Sequence, residues 1–221
     1  MRSAIAFIAL AVLATGLRAQ DDPDRAVQGG GHFPAGWHAR VDRPDRGQAT
    51  DQVRFAAMGT GFHVTLGPHV ILWNPANAAS GTFRVTASFA QSRQPPGHGE
   101  AFGLLIGGRD LDGDGQTYLY FIIRKAGDFE IRHRAGGEIH DVQAWTMNEA
   151  VMKPDAEGRA KNTLTIEAGS AAVKFFVNGV QVASLDRATV DATGGIDGFA
   201  GLRFSHNLDV HIEGFRIDPI Q

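Results

Sequence analysis

"KFFVNGVQVASL", Lys174 to Leu185, is the stretch whose reading decides the fold. Asn178-Gly179 supplies the two positive-φ positions that a type I′ turn needs, and β-branched and aromatic residues flank it on both sides. The stretch is therefore an antiparallel hairpin. The same texture extends in both directions. From Trp37 onward apolar residues mostly recur at every second position, with turn residues at intervals of roughly ten, the pattern of a many-stranded antiparallel sandwich. Fourteen strands are predicted, from Trp37 to Val41 at one end to Leu208 to Ile217 at the other. The best helical candidate is the short stretch Asn148 to Val151.

Two strands carry more information than the rest. In Thr117 to Arg124, Leu119, Phe121 and Ile123 occupy one face while Tyr118, Tyr120 and Ile122 occupy the other. A strand apolar on both faces is central and covered on both sides. In Leu208 to Ile217, by contrast, Leu208, Val210 and Ile212 alternate with Asp209, His211 and Glu213, so one face is wet until Gly214 allows a bulge or kink.

The chain opens MRSAIAFIALAVLATGLRAQ: one cation, an apolar run from Ala4 to Leu13, then small residues ending at Ala19. That is a secretory signal peptide over residues 1–19, since the run is too short to span a bilayer. A flexible, glycine-rich leader (20–36) and one sandwich domain (37–221) follow. The expected location is periplasmic or extracellular, and with no cysteine the fold has no disulfide and no lipid-anchored amino terminus. Loss of Arg2 and Arg18 with the signal leaves 19 Lys plus Arg against 24 Asp plus Glu, a net charge of −5. A mildly acidic chain without a basic cluster is a poor partner for nucleic acid, and no other stretch is apolar enough to span a membrane.

Four constellations carry chemistry. In "GGRDLDGDGQTYLYFIIR", Asp110, Asp112 and Asp114 fill positions one, three and five of a calcium loop, with Gly115 at the turn, but the position for a bidentate glutamate is Phe121. A meander of the flanking strands would bring Glu138 to the same end as the missing carboxylate. The alternative is a hairpin end in which glycine supplies positive φ and aspartate caps the turn. "DVHIE" sets Asp209, His211 and Glu213 on one strand face, close enough for acid/base work, though alternating polar residues also describe an ordinary wet face. A sugar site on a sandwich pairs aromatic platforms with planar polar side chains. Tyr118, Tyr120 and Arg124 share one face of the central strand, and Trp73, Trp145, Glu130, Arg132 and His206 border it according to sheet order. His133, on the face of Phe129 and Ile131, reads as a hydrogen-bonded core residue. No zinc spacing, nucleophile elbow, phosphate loop or dinucleotide fingerprint occurs.

Together "FGLLIGGRDLDGDGQTYLYFIIR", "FFVNGVQV" and the closing "GLRFSHNLDVHIEGFRI" resemble the concanavalin A-like superfamily. Within it the chain is most similar to secreted bacterial domains related to the 3-keto-disaccharide hydrolases and to laminin G-like modules. The resemblance implies an all-β, two-sheet antiparallel jelly roll that binds a carbohydrate or glycoside on its concave face, and the spacing of the Asp loop adds a structural calcium ion as an expectation beside the plain hairpin end. A glycoside-acting hydrolase or lyase is the alternative, with acid/base groups from His206, Asp209, His211 and Glu213 or from Glu130. Gly201, Leu202 and His206 match a Gly-Leu-x-x-x-His ending of the hydrolase relatives. The laminarinase Glu-x-Asp-x-Glu motif and the legume-lectin metal pattern are both missing. A laminin G-like protein-interaction module is the third expectation, and its partner is not named by the sequence.

Overall fold

The alternation read from the sequence becomes strands throughout a computed structural model that describes residues 24–92, 94 and 99–220. In chain order they are β1 (His38–Val41), β2 (Val53–Met58), β3 (Gly61–Leu66), β4 (Val70–Ala79), β5 (Phe83–Gln91), β6 (Ala101–Arg109), β7 (Thr117–Arg124), β8 (Asp128–Ala135), β9 (Glu138–Met147), β10 (Ala160–Ala168), β11 (Ala172–Val177), β12 (Val180–Asp186), β13 (Gly198–Phe204) and β14 (Asp209–Pro219). They form two seven-stranded sheets, ordered β1-β4-β13-β6-β7-β8-β9 and β12-β11-β10-β5-β14-β3-β2. Every pairing is antiparallel.

The core lies between the sheets. Leu119, Phe121 and Ile123 of β7 face Phe175 and Val177 of β11 and their neighbours, all essentially inaccessible to solvent. Phe121 meets Phe175 edge-on across the sandwich at 5.3 Å. Burying each such side chain contributes about 1.5–3 kcal/mol, and edge-to-face contact adds to it. The other face of β7 is buried as well: Tyr118, Tyr120 and Ile122 join Ile71, Trp73, Ala101, Leu105 and Leu111 in a second apolar cluster on the outer side of the first sheet. This is the two-sided burial expected for that strand.

The hairpin turn is as read, with φ of 51° at Asn178 and 83° at Gly179. Asn178 does more than bend the chain. Its amide donates to the Ala150 carbonyl and to Asn162 Oδ1, each at 2.8 Å, while its oxygen accepts from the Thr163 N–H. Gly214 (φ 63°) sits where the β14–β5 register shifts between Glu213 and Arg216.

Three expectations change. Asn148 to Val151 is a turn, because the Asn148 side chain accepts from the Ala150 N–H and its carbonyl from the Val151 N–H. Arg187–Ala192 forms a short helix instead, braced by an Arg187–Asp191 pair one turn apart at 2.9 Å. The segment expected to be a flexible leader is tied down from Asp24 onward: the Arg25 N–H donates to Asn207 Oδ1, its guanidinium bonds the Leu66 and Leu208 carbonyls, and Phe33 packs on the core. The predicted signal peptide, residues 1–19, lies outside the described residues.

Candidate functional site

Register fixes which side chains meet on the outer face of the first sheet. One row runs Ile71, Arg203, Gly103, Ile122, Glu130 across β4, β13, β6, β7 and β8, and the next runs Trp73, Gly201, Leu105, Tyr120, Arg132. Gly103 has no room for a side chain, since a Cβ there would collide with the Phe121 carbonyl oxygen, and one at Gly201 would collide with that of Leu72. Two adjacent strands therefore present bare backbone in the middle of a crowded face. Beside these rows lies a cavity of about 700 Å³, lined by Tyr120, Ile122, Arg132, Arg134, Ile139 and Arg203 from the sheet and by Asp42, Arg43, Asp45 and His69 from loops. Its size is that of a small-molecule site.

The electrostatic centre is the Arg203–Asp42 pair. Arg203 is buried, donates to Asp42 Oδ1 at 2.6 Å and bonds Oδ2 with its other nitrogen, and its guanidinium lies 5.6 Å from the Tyr120 ring centre. Burial alone would raise the Asp42 carboxyl, but the charge and hydrogen bonds of Arg203 outweigh it and bring the pKa to about 2. Beside it His69 is pushed down to about 4, first by burial and then by the Arg203 charge, so its imidazole is neutral at pH 7. His69 stacks on His206 at 5.1 Å, and His206 itself reaches Glu100 at 3.1 Å and Asp24 at 3.4 Å.

Along β7 and β8 the cross-strand pairs are Tyr118–Arg134, Tyr120–Arg132, Ile122–Glu130 and Arg124–Asp128. Glu130 is 1% exposed. One of its oxygens accepts from Arg132 at 2.9 Å, and among the described residues the other has no partner. Burial is the main cause that raises its pKa, ahead of the opposing Arg132 charge. Arg132 also reaches Asp141 at 2.8 Å and hydrogen-bonds Tyr120. Burial likewise raises both phenols, Tyr118 to about 12.

Of the residues expected to bind ligand, Arg132 lines the cavity and Glu130 stands directly behind it. Tyr118 and Trp73 are on the same face but fully covered, Trp73 stacking with His38 at 5.5 Å. Arg124 and Trp145 form their own unit towards the far end of β7: the guanidinium sits 4.0 Å above the indole and is held by Asp128 at 2.7 Å. The structure separates the candidate acid/base group. Asp209, His211 and Glu213 project from the outer face of the second sheet, across the sandwich from the cavity, whereas His206 is in the turn between the sheets. Asp209 is bonded by His63 at 2.9 Å and Glu213 by Lys161 at 2.7 Å, which lower both carboxyls. His133 is buried and bonded to Thr117 at 3.0 Å, as read.

The Asp110, Asp112, Asp114 loop does lie beside the Glu138 turn, where the Gly136 N–H donates to the Gln116 carbonyl. The four carboxylates do not converge, and among the described residues no group of three or more His, Asp or Glu side chains is placed to hold a metal ion. Asp110 turns back to accept the Gly115 N–H at 3.0 Å, Asp114 is fully exposed, and Glu138 faces His140. A cation is nonetheless present: Arg40 donates to the Gly113 carbonyl at 2.6 Å and approaches Asp114 at 3.5 Å. In this arrangement the loop does not fit a calcium ion.

Sequence reasoning missed Asp42, His69, Arg134 and Arg203. Arg203 alone carried a local signal, a charge amid the apolar alternation of "GFAGLRFS".

Against solved structures, the carbohydrate-binding module CBM66 from Bacillus subtilis is similar with a TM-score of 0.58 and 12% identity over 83% of this chain and 95% of that one. The fold is the concanavalin A-like jelly roll. The same jelly roll is found in a GH16 protein of a Bacteroides ovatus mixed-linkage glucan locus (TM-score 0.57, 9% identity, 82% and 94% covered). It recurs in the family 7 alginate lyase A1-II′ (0.53, 14%, 84% and 95%). At these identities the likeness is one of fold. No protein-family model matches the sequence, and no curated protein matches it either. No helix among the described residues is long and apolar enough to cross a membrane.

Proposed function

We propose that this protein is a secreted saccharide-binding domain whose site is the cavity on the outer face of the first sheet. One observation carries the reading: a cavity of small-molecule size is edged by Tyr120 and by arginines held in fixed ion pairs. Planar guanidiniums pre-oriented by ion pairs, one of them bonded to the Tyr120 hydroxyl, suit the hydroxyl edge of a sugar ring. Two of the similar structures are named for a carbohydrate-binding module and a glucan-locus enzyme, which supports the same ligand class. The signal-like start, Met1 to Ala19, supports export.

The test is calorimetric titration of a panel of neutral and acidic oligosaccharides into the wild type, Arg132→Ala, Tyr120→Phe and the opposite-face control His211→Ala. Binding that is lost in the first two variants and kept in the control is the expected result. Failure of every sugar to bind, or loss only in His211→Ala, would refute the site.

A glycoside-acting enzyme is the second reading, favoured by the buried Glu130 with its unpartnered oxygen beside a cavity that also holds a neutral His69. A carboxyl whose pKa is raised by burial and a neutral imidazole are groups able to give and to take a proton. Turnover abolished in both Glu130→Gln and His69→Asn with the fold intact would establish it.

A further inference from the structure

We propose that the sugar taken by this cavity is a uronic acid, its carboxylate docking on the guanidinium of Arg134. The proposal rests on the saccharide-binding reading above and adds the ligand's charge. Four guanidiniums line the cavity, from Arg43, Arg132, Arg134 and Arg203. Three are matched within the protein: Arg203 with Asp42, Arg43 with Asp45 at 3.1 Å, and Arg132 with Asp141 and Glu130. Arg134 is different. It is 7% exposed, its Nε donates to the Gly136 carbonyl at 2.6 Å, and among the described residues no carboxylate forms an ion pair with it. The acid whose charge it influences is Asp42, and both oxygens of that carboxylate are already bonded by Arg203.

A buried guanidinium without a counter-ion is costly, and its planar fork is shaped for two parallel bonds to a carboxylate. Its position makes the group useful to a ligand. Arg134 is the cross-strand neighbour of Tyr118, and the next outward-facing pair is Tyr120 and Arg132, so a carboxylate at Arg134 places the rest of the sugar towards the Arg132 guanidinium in the same cavity. The protein as a whole is acidic, with a formal charge of −3, so attraction for an anion is local to this cavity and is not a property of the surface at large.

The experiment titrates oligogalacturonate, oligomannuronate and oligoglucuronate, each beside its carboxyl-reduced counterpart, into the wild type, Arg134→Gln, Arg134→Lys and Arg216→Gln, a control on β14 of the second sheet. All variants are first checked for an unchanged thermal transition. At least one uronate is expected to bind tenfold or more tighter than its reduced partner. That ratio should fall to about one in Arg134→Gln, survive in part in Arg134→Lys, which keeps the charge should the glutamine variant fail to fold, and persist in Arg216→Gln. Reduced sugars that bind as tightly as the acids, or a preference retained in Arg134→Gln, would overturn the uronic acid assignment and leave the saccharide site standing. Absence of binding by acid and neutral forms alike would overturn both.

Discussion

Replacing Asp42 with asparagine tests whether the Arg203–Asp42 pair holds the cavity together. The variant keeps the shape of the side chain and removes the charge opposite a buried guanidinium. Two routes give its magnitude. The Asp42 pKa falls from 3.8 to about 2, which at about 1.36 kcal/mol per unit represents about 2 kcal/mol of stabilisation in the charged form. Breaking a buried pair by removing one partner adds the cost of the charge left behind, for a total of about 3 kcal/mol or more. No large discount for solvent applies, since the two side chains are 7% and 13% exposed. The sign follows from protonation. The folded state binds this proton more weakly than the unfolded chain, so the stabilisation is fully present above pH 3.8 and is lost as the pH falls towards 2. Urea melts should place Asp42→Asn about 3 kcal/mol below the wild type at pH 7, with the difference shrinking by about 2 kcal/mol between pH 4 and 2. A loss of less than about 1 kcal/mol at pH 7, or a difference that does not change with acid, would refute the reasoning.

Two further outcomes follow from the same geometry. His69, down to about 4 from 6.5, is neutral in the fold when the unfolded chain has already bound its proton, so stability should fall as the pH drops from 6.5 to 4; His69→Asn should flatten the urea-melt profile in that window, and an unchanged slope would count against burial of the imidazole. Arg40→Ala should cost about 1–2 kcal/mol by freeing the Gly113 carbonyl and leaving the Asp loop without its cation, while millimolar calcium added to the wild type should leave its thermal transition where it was; a calcium-dependent rise would show that the loop takes a metal after all.

The architecture was legible because sheets write their rules locally. Strand Thr117–Arg124 announced its place by being apolar on both faces, Asn178-Gly179 by its turn chemistry, and Gly214 by interrupting an alternation. Short-range signals also misled where a polar side chain decided the outcome: Asn148 bends its own backbone into a turn, and a six-residue helix after Asp186 is too brief to show periodicity. The cavity was half legible. Glu130 and Arg132 follow from strand parity on a central sheet. Asp42 and His69 do not, because they come from loops beside β1 and β4 and meet Arg203 through a strand order that places β13, late in the chain, between β4 and β6. The surroundings of the Asp loop were hidden for a related reason. Its three carboxylates predicted a need for positive charge, and the charge comes from Arg40, some seventy residues earlier.

At Gly103 and Gly201 of the first sheet, neighbouring carbonyl oxygens occupy the space that a side chain would take. The close approach of these strands is thus fixed by backbone, while the cavity beside them is walled by exchangeable side chains. A lineage could trade Arg134, Tyr120 or Ile139 and alter what the cavity accepts without disturbing the sheet that carries it. To place side chains at the two glycines it would have to move the strands themselves. Frame and preference are written in different residues, and an engineer who wishes to redirect this protein should leave the glycines alone and write on the rim.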